Sequence, residues 1–169
     1  IMSQLSLSLD SSLLVRDDQG RYLPATADQI LEAARYVIDQ KIPGGTLFTS
    51  PALVKDYLRT KLANFEHEVF AVLFLDSQNR LIEYVEMFRG TIDQASVYPR
   101  EVVKTALHHN AAAVIFSHNH PSGNSEPSQA DKLLTQRLKE TLALVDVRTL
   151  DHIVVGGEAT TSFAERGLL

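Results

Sequence analysis

Two histidines separated by one residue precede a turn-rich segment that ends in an aspartate. His118 and His120 lie in the run "SHNHPSGNSEPSQAD", and ten residues separate His120 from Asp131. Side chains at positions i and i+2 of a strand point to the same side, so both imidazoles would project together from the end of the apolar run "AAAVIF". Two imidazoles and one carboxylate supply three metal ligands and leave a fourth tetrahedral position for water, as in catalytic zinc sites. This spacing predicts a hydrolytic metal centre.

The same residues allow a purely structural interpretation. Ser128 and Asp131 have the S-x-x-D spacing of a capping box, so both could serve only to start a helix. The two histidines could be ordinary polar loop residues. The combination of H-x-H after an apolar strand with a spaced carboxylate favours the metal site, because imidazole and carboxylate together suit a divalent ion.

A metal-activated water also needs a general base. Glu66 and Glu68 precede the apolar run "VFAVLFL", and we expect this run to form a strand beside the histidine strand. Solvation at a strand edge is the commoner role of a glutamate. On the residues alone, both glutamates stay open as the base.

Several neighbouring residues are interpreted as structural. His108 and His109 lie near the end of a predicted helix, where a cation interacts favourably with the helix dipole. His152 begins a predicted strand and could support a metal-binding residue, although a buried core histidine is the commoner case. Asn119 and Pro121 are expected to shape the ligand loop.

Composition excludes several classes of site. The chain of 169 residues has no cysteine, which excludes disulfides, thiolate metal sites and a nucleophilic thiol. Its 16 basic and 21 acidic residues give a formal net charge of −5, and no basic run is longer than two, so binding to a nucleic-acid backbone is not indicated. No apolar run is long enough for a membrane span, and the first residues lack the pattern of a secretory signal. We therefore expect a cytoplasmic protein, whose oligomeric state the sequence leaves open.

The hydrophobic patterns predict the elements that must hold these side chains. A helix is expected from an N-cap at Thr26 to the "IPGG" breaker, and another from Ser50 to about Leu62. The chain then reads, in order, as strands "EVFAVLFLD" and "RLIEYVEMFRG", helix "YPREVVKTALHHN", strand "AAAVIFSHNH", helix "SQADKLLTQRLKETLALV" and one or two strands in "VRTLDHIVVGG". This order predicts an α/β fold in which helices flank a mixed sheet.

The residues that carry the chemistry resemble a known motif. The motif is E…H-x-H-P-x6-S-x-x-D of the JAMM metalloproteases, matched here by Glu68, His118, His120, Pro121, Ser128 and Asp131. The wider run "VYPREVVKTALHHNAAAVIFSHNHPSGNSEPSQAD", followed by "LDHIVVGG", resembles the RadC family of bacterial JAMM (MPN) domain proteins. The resemblance covers about residues 47–169. It implies a JAMM/MPN sandwich similar to cytidine deaminases.

The resemblance also implies roles for individual residues. Zn²⁺ would be the cofactor, bound by His118, His120 and Asp131. Of the two glutamates, Glu68 would be the general base, and Ser128 would donate a hydrogen bond to the oxyanion. The implied reaction is hydrolysis of a peptide or isopeptide bond in an unidentified peptide or protein substrate.

The residue patterns predict a helical N-terminal extension at residues 1–45, and the resemblance implies an MPN/JAMM metallohydrolase domain at 46–169. Full-length RadC proteins carry a helix-hairpin-helix segment, whose glycine-containing hairpin is not found in residues 1–45. The chain is therefore more similar to short RadC-like proteins encoded in prophage regions. Two alternatives are a DNA-repair-associated protein that acts without proteolysis and a non-catalytic MPN interaction module. The acidic net charge argues against the first, and the complete ligand set argues against the second.

Overall fold

A five-stranded mixed sheet forms the centre of the molecule. The computed structural model describes residues 13–41, 45–48, 50–63, 65–90 and 97–169. Its elements are β1 (Leu14–Arg16), β2 (Tyr22–Pro24), α1 (Ala27–Lys41), α2 (Pro51–Leu62), β3 (Val69–Leu75), β4 (Leu81–Arg89), α3 (Pro99–His108), β5 (Ala113–Asn119), α4 (Gln129–Ala143), β6 (Arg148–Gly156) and β7 (Ala159–Ser162). This confirms the predicted α/β class with helices flanking a mixed sheet.

The histidine strand β5 occupies the middle of the sheet. The strand order is β4-β3-β5-β6-β7, with β5 antiparallel to β3 and parallel to β6. Every residue of β3 and β5 is buried, because helices cover both faces of the sheet and such strands are continuously apolar. Phe70 of β3 pairs with His118 of β5, which confirms that the run "VFAVLFL" lies beside the histidine strand.

Two apolar cores, one on each face of the sheet, hold the helices in place. Residues of α2 pack on one face, and residues of α3 and α4 pack on the other. Leu138 and Leu142 of α4 are fully buried and Leu134 is partly buried on this face. His118 lies on the α3 and α4 face, since its ring stacks 6.4 Å from that of Phe70.

The boundaries of several elements differ slightly from those predicted. Strand β3 begins at Val69, so Glu68, the first residue of the predicted strand, directly precedes it. Strand β5 ends at Asn119, so His120 directly follows the strand. Strand β7 was not predicted, because its four residues include three hydroxyl side chains and no branched aliphatic one.

The N-terminal part of the described chain is a hairpin followed by a helix. Strands β1 and β2 pair antiparallel, and α1 follows a reciprocal cap in which Thr26 and Gln29 bond to each other's backbone N–H. Residues 1–12 and 42–44 of the predicted extension lie outside the described residues. None of the helices in the described ranges is long and apolar enough to cross a membrane.

Candidate metal centre

Three side chains converge where β5 ends and α4 begins. The Nε2 atoms of His118 and His120 lie 3.0 Å apart. Asp131 approaches both imidazoles, with Oδ1 at 3.4 Å from Nε2 of His118 and Oδ2 at 3.5 Å from Nε2 of His120. One potential ligand atom from each residue lies within 4.8 Å of the other two. The structure thus brings together the three residues predicted as ligands, in a group that could hold a metal ion.

A tightly packed loop returns the chain from β5 to α4. The backbone N–H of His120 donates to Val155 O of β6 at 2.8 Å, which extends the strand pairing past the end of β5. The loop then passes directly over Gly156, where a Cβ would lie only 2.4 Å from Ser125 N and 2.6 Å from Asn124 C. The absence of a side chain at position 156 therefore allows the loop to pack against the sheet.

The capping interpretation of Ser128 and Asp131 is confirmed, and it is compatible with the prediction that Asp131 is a metal ligand. Asp131 N donates to Ser128 Oγ at 3.1 Å, and Ser128 N donates to Asp131 Oδ2 at 2.7 Å, which completes a capping box. The Ser128 hydroxyl also donates to Asp131 Oδ2 at 2.7 Å. The cap therefore fixes the carboxylate in the orientation that faces the two imidazoles.

Each imidazole has a partner on its remaining ring nitrogen. Nδ1 of His120 lies 2.7 Å from Asn124 O, and a carbonyl can only accept, so Nδ1 carries the proton and Nε2 can present a lone pair to the site. Nδ1 of His118 lies 2.8 Å from Nε2 of the fully buried His152. His152 is thus both a core histidine and a contact of a predicted ligand. Sequence reasoning missed Asn124 and also Thr135, whose hydroxyl lies 2.6 Å from Nδ1 of His152.

The electrostatics of the site favour a cation between the three groups. Burial would raise the pKa of Asp131, but the neighbouring His118, His120 and Ser128 side chains hold that pKa well below its usual range. The hydrogen bond with Asp131 raises the pKa of His120 against the opposing effect of burial. Two imidazole lone pairs and a carboxylate would repel one another unless a proton or a metal ion lay among them. The donor set therefore fits a divalent metal ion.

The two candidate bases differ in their environments. Glu66 is exposed and lines a cavity with residues of α1. Glu68 is half-buried, and its negative charge is among the causes that raise the pKa of His120. Glu68 therefore lies close enough for its charge to act on His120, one of the three converging side chains.

Asn119 organises the segment that carries Glu68 instead of the ligand loop that it was predicted to shape. Its Oδ1 accepts from Val69 N at 2.8 Å, and its Nδ2 donates to His67 O at 3.1 Å and to Phe65 O at 3.3 Å. No pattern in the sequence indicates these contacts, which join positions about fifty residues apart.

The remaining histidines contact aromatic rings. His109 stacks on Phe74 with a centroid separation of 5.1 Å and also contacts His108. His67 packs against Phe65 at 5.5 Å. In the part of the chain that the structure describes, no group of three or more potential ligands other than the one at β5 and α4 was found.

Comparison with known proteins assigns the chain to a family. The family model described as the RadC-like JAB domain matches residues 48–168. A UPF0758 protein of Vibrio cholerae is 61% identical over 141 residues, which cover 83% of this chain and 89% of that protein. The UPF0758 protein of Cellvibrio japonicus is 64% identical over 140 residues, which cover 83% of this chain and 62% of that longer protein. The UPF0758 protein of Nitrosomonas eutropha is 56% identical over 145 residues, which cover 86% of this chain and 65% of that protein. The chain therefore belongs to the RadC-like JAB domain family, the family that its motif resembled.

Proposed function

We propose that this protein is a zinc-dependent hydrolase that cleaves a peptide or isopeptide bond. The observation that supports this most directly is the convergence of two imidazole nitrogens and one carboxylate oxygen within 4.8 Å of one another. These atom types are common zinc ligands, and three protein ligands leave a fourth position for water or substrate. His118, His120 and Asp131 would hold the ion.

Glu68 acts as the general base in this proposal. Zinc bound at the site would supply a water of lowered pKa and a Lewis acid for the scissile carbonyl. Glu68 takes a proton from the attacking water and delivers it to the leaving amine. Its half-buried position directly before β3, which pairs with the histidine strand β5, supports this role.

Ser128 stabilises the tetrahedral oxyanion in this proposal. Its hydroxyl is exposed next to the ligand group and donates to Asp131 Oδ2 at 2.7 Å. Rotation about its Cβ–Oγ bond would turn the same proton toward the substrate while Oγ continues to accept from Asp131 N. A single oxyanion donor of this kind contributes about 10²- to 10³-fold to kcat.

The test combines metal analysis with a cleavage screen. Protein purified without added metal is assayed for bound zinc, and then incubated with a peptide library and with isopeptide-linked peptides. We expect about one zinc per chain, and cleavage that a chelator abolishes and added zinc restores. Protein that takes up no zinc even when zinc is supplied would contradict the proposal.

We further infer that nucleic acid is not the direct substrate, because the formal net charge is −5. A gel-shift titration across salt concentrations tests this inference. Tight binding that persists above about 0.15 M salt would contradict it.

A further inference from the structure

A buried chain of hydrogen bonds connects His118 to the first turns of α4. Nδ1 of His118 lies 2.8 Å from Nε2 of His152, and Nδ1 of His152 lies 2.6 Å from the Thr135 hydroxyl. That hydroxyl in turn donates to the backbone carbonyl of Asp131 at 2.6 Å. His152 and Thr135 are almost inaccessible, with 0% and 1% of their surface exposed. This chain of hydrogen bonds therefore begins at the side chain of one proposed metal ligand, His118, and ends at the backbone of another, Asp131.

The direction of every hydrogen bond in this chain follows from its last member. The Thr135 hydroxyl has one proton and gives it to a carbonyl, which can only accept. Its oxygen must then accept from Nδ1–H of His152. Nε2 of a neutral His152 has only a lone pair left, so it accepts from Nδ1–H of His118. A neutral His118 protonated on Nδ1 presents an unprotonated Nε2 to the metal site.

Aromatic packing holds the His152 ring in this orientation. The ring stacks on Phe163 with a centroid separation of 4.7 Å, and it makes edge contacts with Phe70 and Phe116 at 5.7 and 5.8 Å. Among the described residues, its ring nitrogens have no hydrogen-bond partners other than His118 and Thr135. A full enclosure by apolar rings also favours the neutral imidazole on which the hydrogen-bond directions depend.

We propose that Thr135 and His152 are positioning residues that fix His118 as the Nδ1–H tautomer and so present its Nε2 lone pair to a divalent metal ion. This inference rests on the proposed function only for the identity of the ion. The hydrogen-bond directions are a property of the metal-free protein. Partners of this kind behind a ligating histidine typically change metal affinity by about 10- to 100-fold.

The first test removes only the hydroxyl. Thr135→Val keeps the shape of the side chain but leaves Nδ1–H of His152 without an acceptor. If the proton of His152 moves to Nε2, it faces Nδ1 of His118, and the proton of His118 must then occupy the metal-binding Nε2. Zinc affinity, measured by competition with a chromophoric chelator, should fall by about 10- to 100-fold. Thr135→Ser restores the hydroxyl and should recover most of the lost affinity.

A matched control is available on the same helix. The Thr141 hydroxyl donates to Arg137 O at 2.7 Å, in the same geometry as Thr135 but without a histidine partner. Thr141→Val should therefore bind zinc like the parent protein. Equal zinc affinities for Thr135→Val, Thr141→Val and the parent would overturn the proposal.

The second test observes the tautomer directly. Long-range ¹H–¹⁵N correlation of the imidazoles in the metal-free parent should show His118 protonated on Nδ1 and His152 protonated on Nδ1. A parent protein with His118 protonated on Nε2 alone would overturn the proposal, whether or not the Thr135 variant folds. The two proposals fail separately: zinc binding without any cleavage counts against the hydrolase alone, whereas an Nε2–H His118 counts against the positioning role alone.

Discussion

The Asn119 side chain fixes the start of strand β3 by accepting a hydrogen bond from Val69 N at 2.8 Å. The same amide donates to His67 O at 3.1 Å, so the residues before and after Glu68 are both bonded to it. Asn119 itself lies between the two predicted histidine ligands in the sequence and is 2% exposed. One buried side chain therefore ties the segment that carries the proposed base to the strand that carries the predicted ligand His118.

Substitution of Asn119 by alanine should reduce hydrolysis more than metal binding. The variant loses all three hydrogen bonds to the segment around Glu68, and a displacement of about 1 Å in a catalytic group can lower a rate by about 100-fold. Unfolding free energy should also fall by about 1–3 kcal/mol, because the buried N–H of Val69 loses its acceptor. Zinc competition, chemical denaturation and a cleavage assay separate the three effects. A loss of zinc affinity as large as the loss of rate would show that Asn119 supports the ligands and not Glu68.

Glu68→Gln should retain zinc and lose turnover. The amide cannot take a proton from water, and general base catalysis contributes about 10²- to 10⁴-fold. Glu66→Gln is the matched control. Glu66 is exposed and lies two residues earlier in the sequence, so this variant should cleave substrate like the parent protein. Comparing the proteins cleaved in the native host by the parent and by Glu68→Gln would also reveal substrates. Turnover of Glu68→Gln at the parental rate would remove Glu68 from the mechanism.

The sequence predicted the ligand group because its determinants are local. The i, i+2 spacing of His118 and His120 and the cap at Ser128 each act within a few residues, so spacing alone specifies where the side chains point. The central strands were equally predictable from continuous apolar runs, although their ends shifted by one or two residues.

The supporting residues were not predictable because their contacts are set by tertiary packing. His152 faces His118 only because β6 pairs in parallel with β5, and Thr135 reaches His152 only because α4 packs on that face of the sheet. Asn119 was expected to serve its own loop, but its partners lie on β3 and the residues before it. No spacing rule links positions that are 17 to 50 residues apart.

Gly156→Ala should weaken metal binding although Gly156 is not a ligand. The new Cβ would lie 2.4 Å from Ser125 N, so the loop must move and carry with it the Asn124 carbonyl that orients His120. Overpacking of this kind reduces the unfolding free energy by about 1–3 kcal/mol. Gly157→Asn is the control: its φ of +57° suits asparagine, and a Cβ there meets nothing within 4 Å. If Gly156→Ala matches that control in both zinc affinity and stability, the loop does not depend on the close approach.

Zinc affinity should fall as the pH is lowered, beginning above the usual range for histidine. In the metal-free protein, the hydrogen bond with Asp131 raises the pKa of His120, so its proton is retained to a higher pH than the ordinary value of about 6.5. Below that raised pKa a metal ion must displace the proton, and the apparent affinity declines by about tenfold per pH unit for each proton displaced. Above the raised pKa the ring is neutral and the affinity no longer depends on this group.

The direction in which the stability changes with pH distinguishes metal binding from simple ion pairing between His120 and Asp131. In the metal-free protein, a raised His120 pKa stabilises the fold fully below about pH 6.5, and this stabilisation is lost as the pH rises through the raised pKa. In the zinc-bound protein the neutral ring is the ligand, so the extra stability that zinc confers should instead grow over the same interval. Thermal unfolding with and without zinc between about pH 5 and pH 9 measures both trends. If the unfolding temperatures with and without zinc change with pH in parallel across this range, zinc does not compete with the proton on His120.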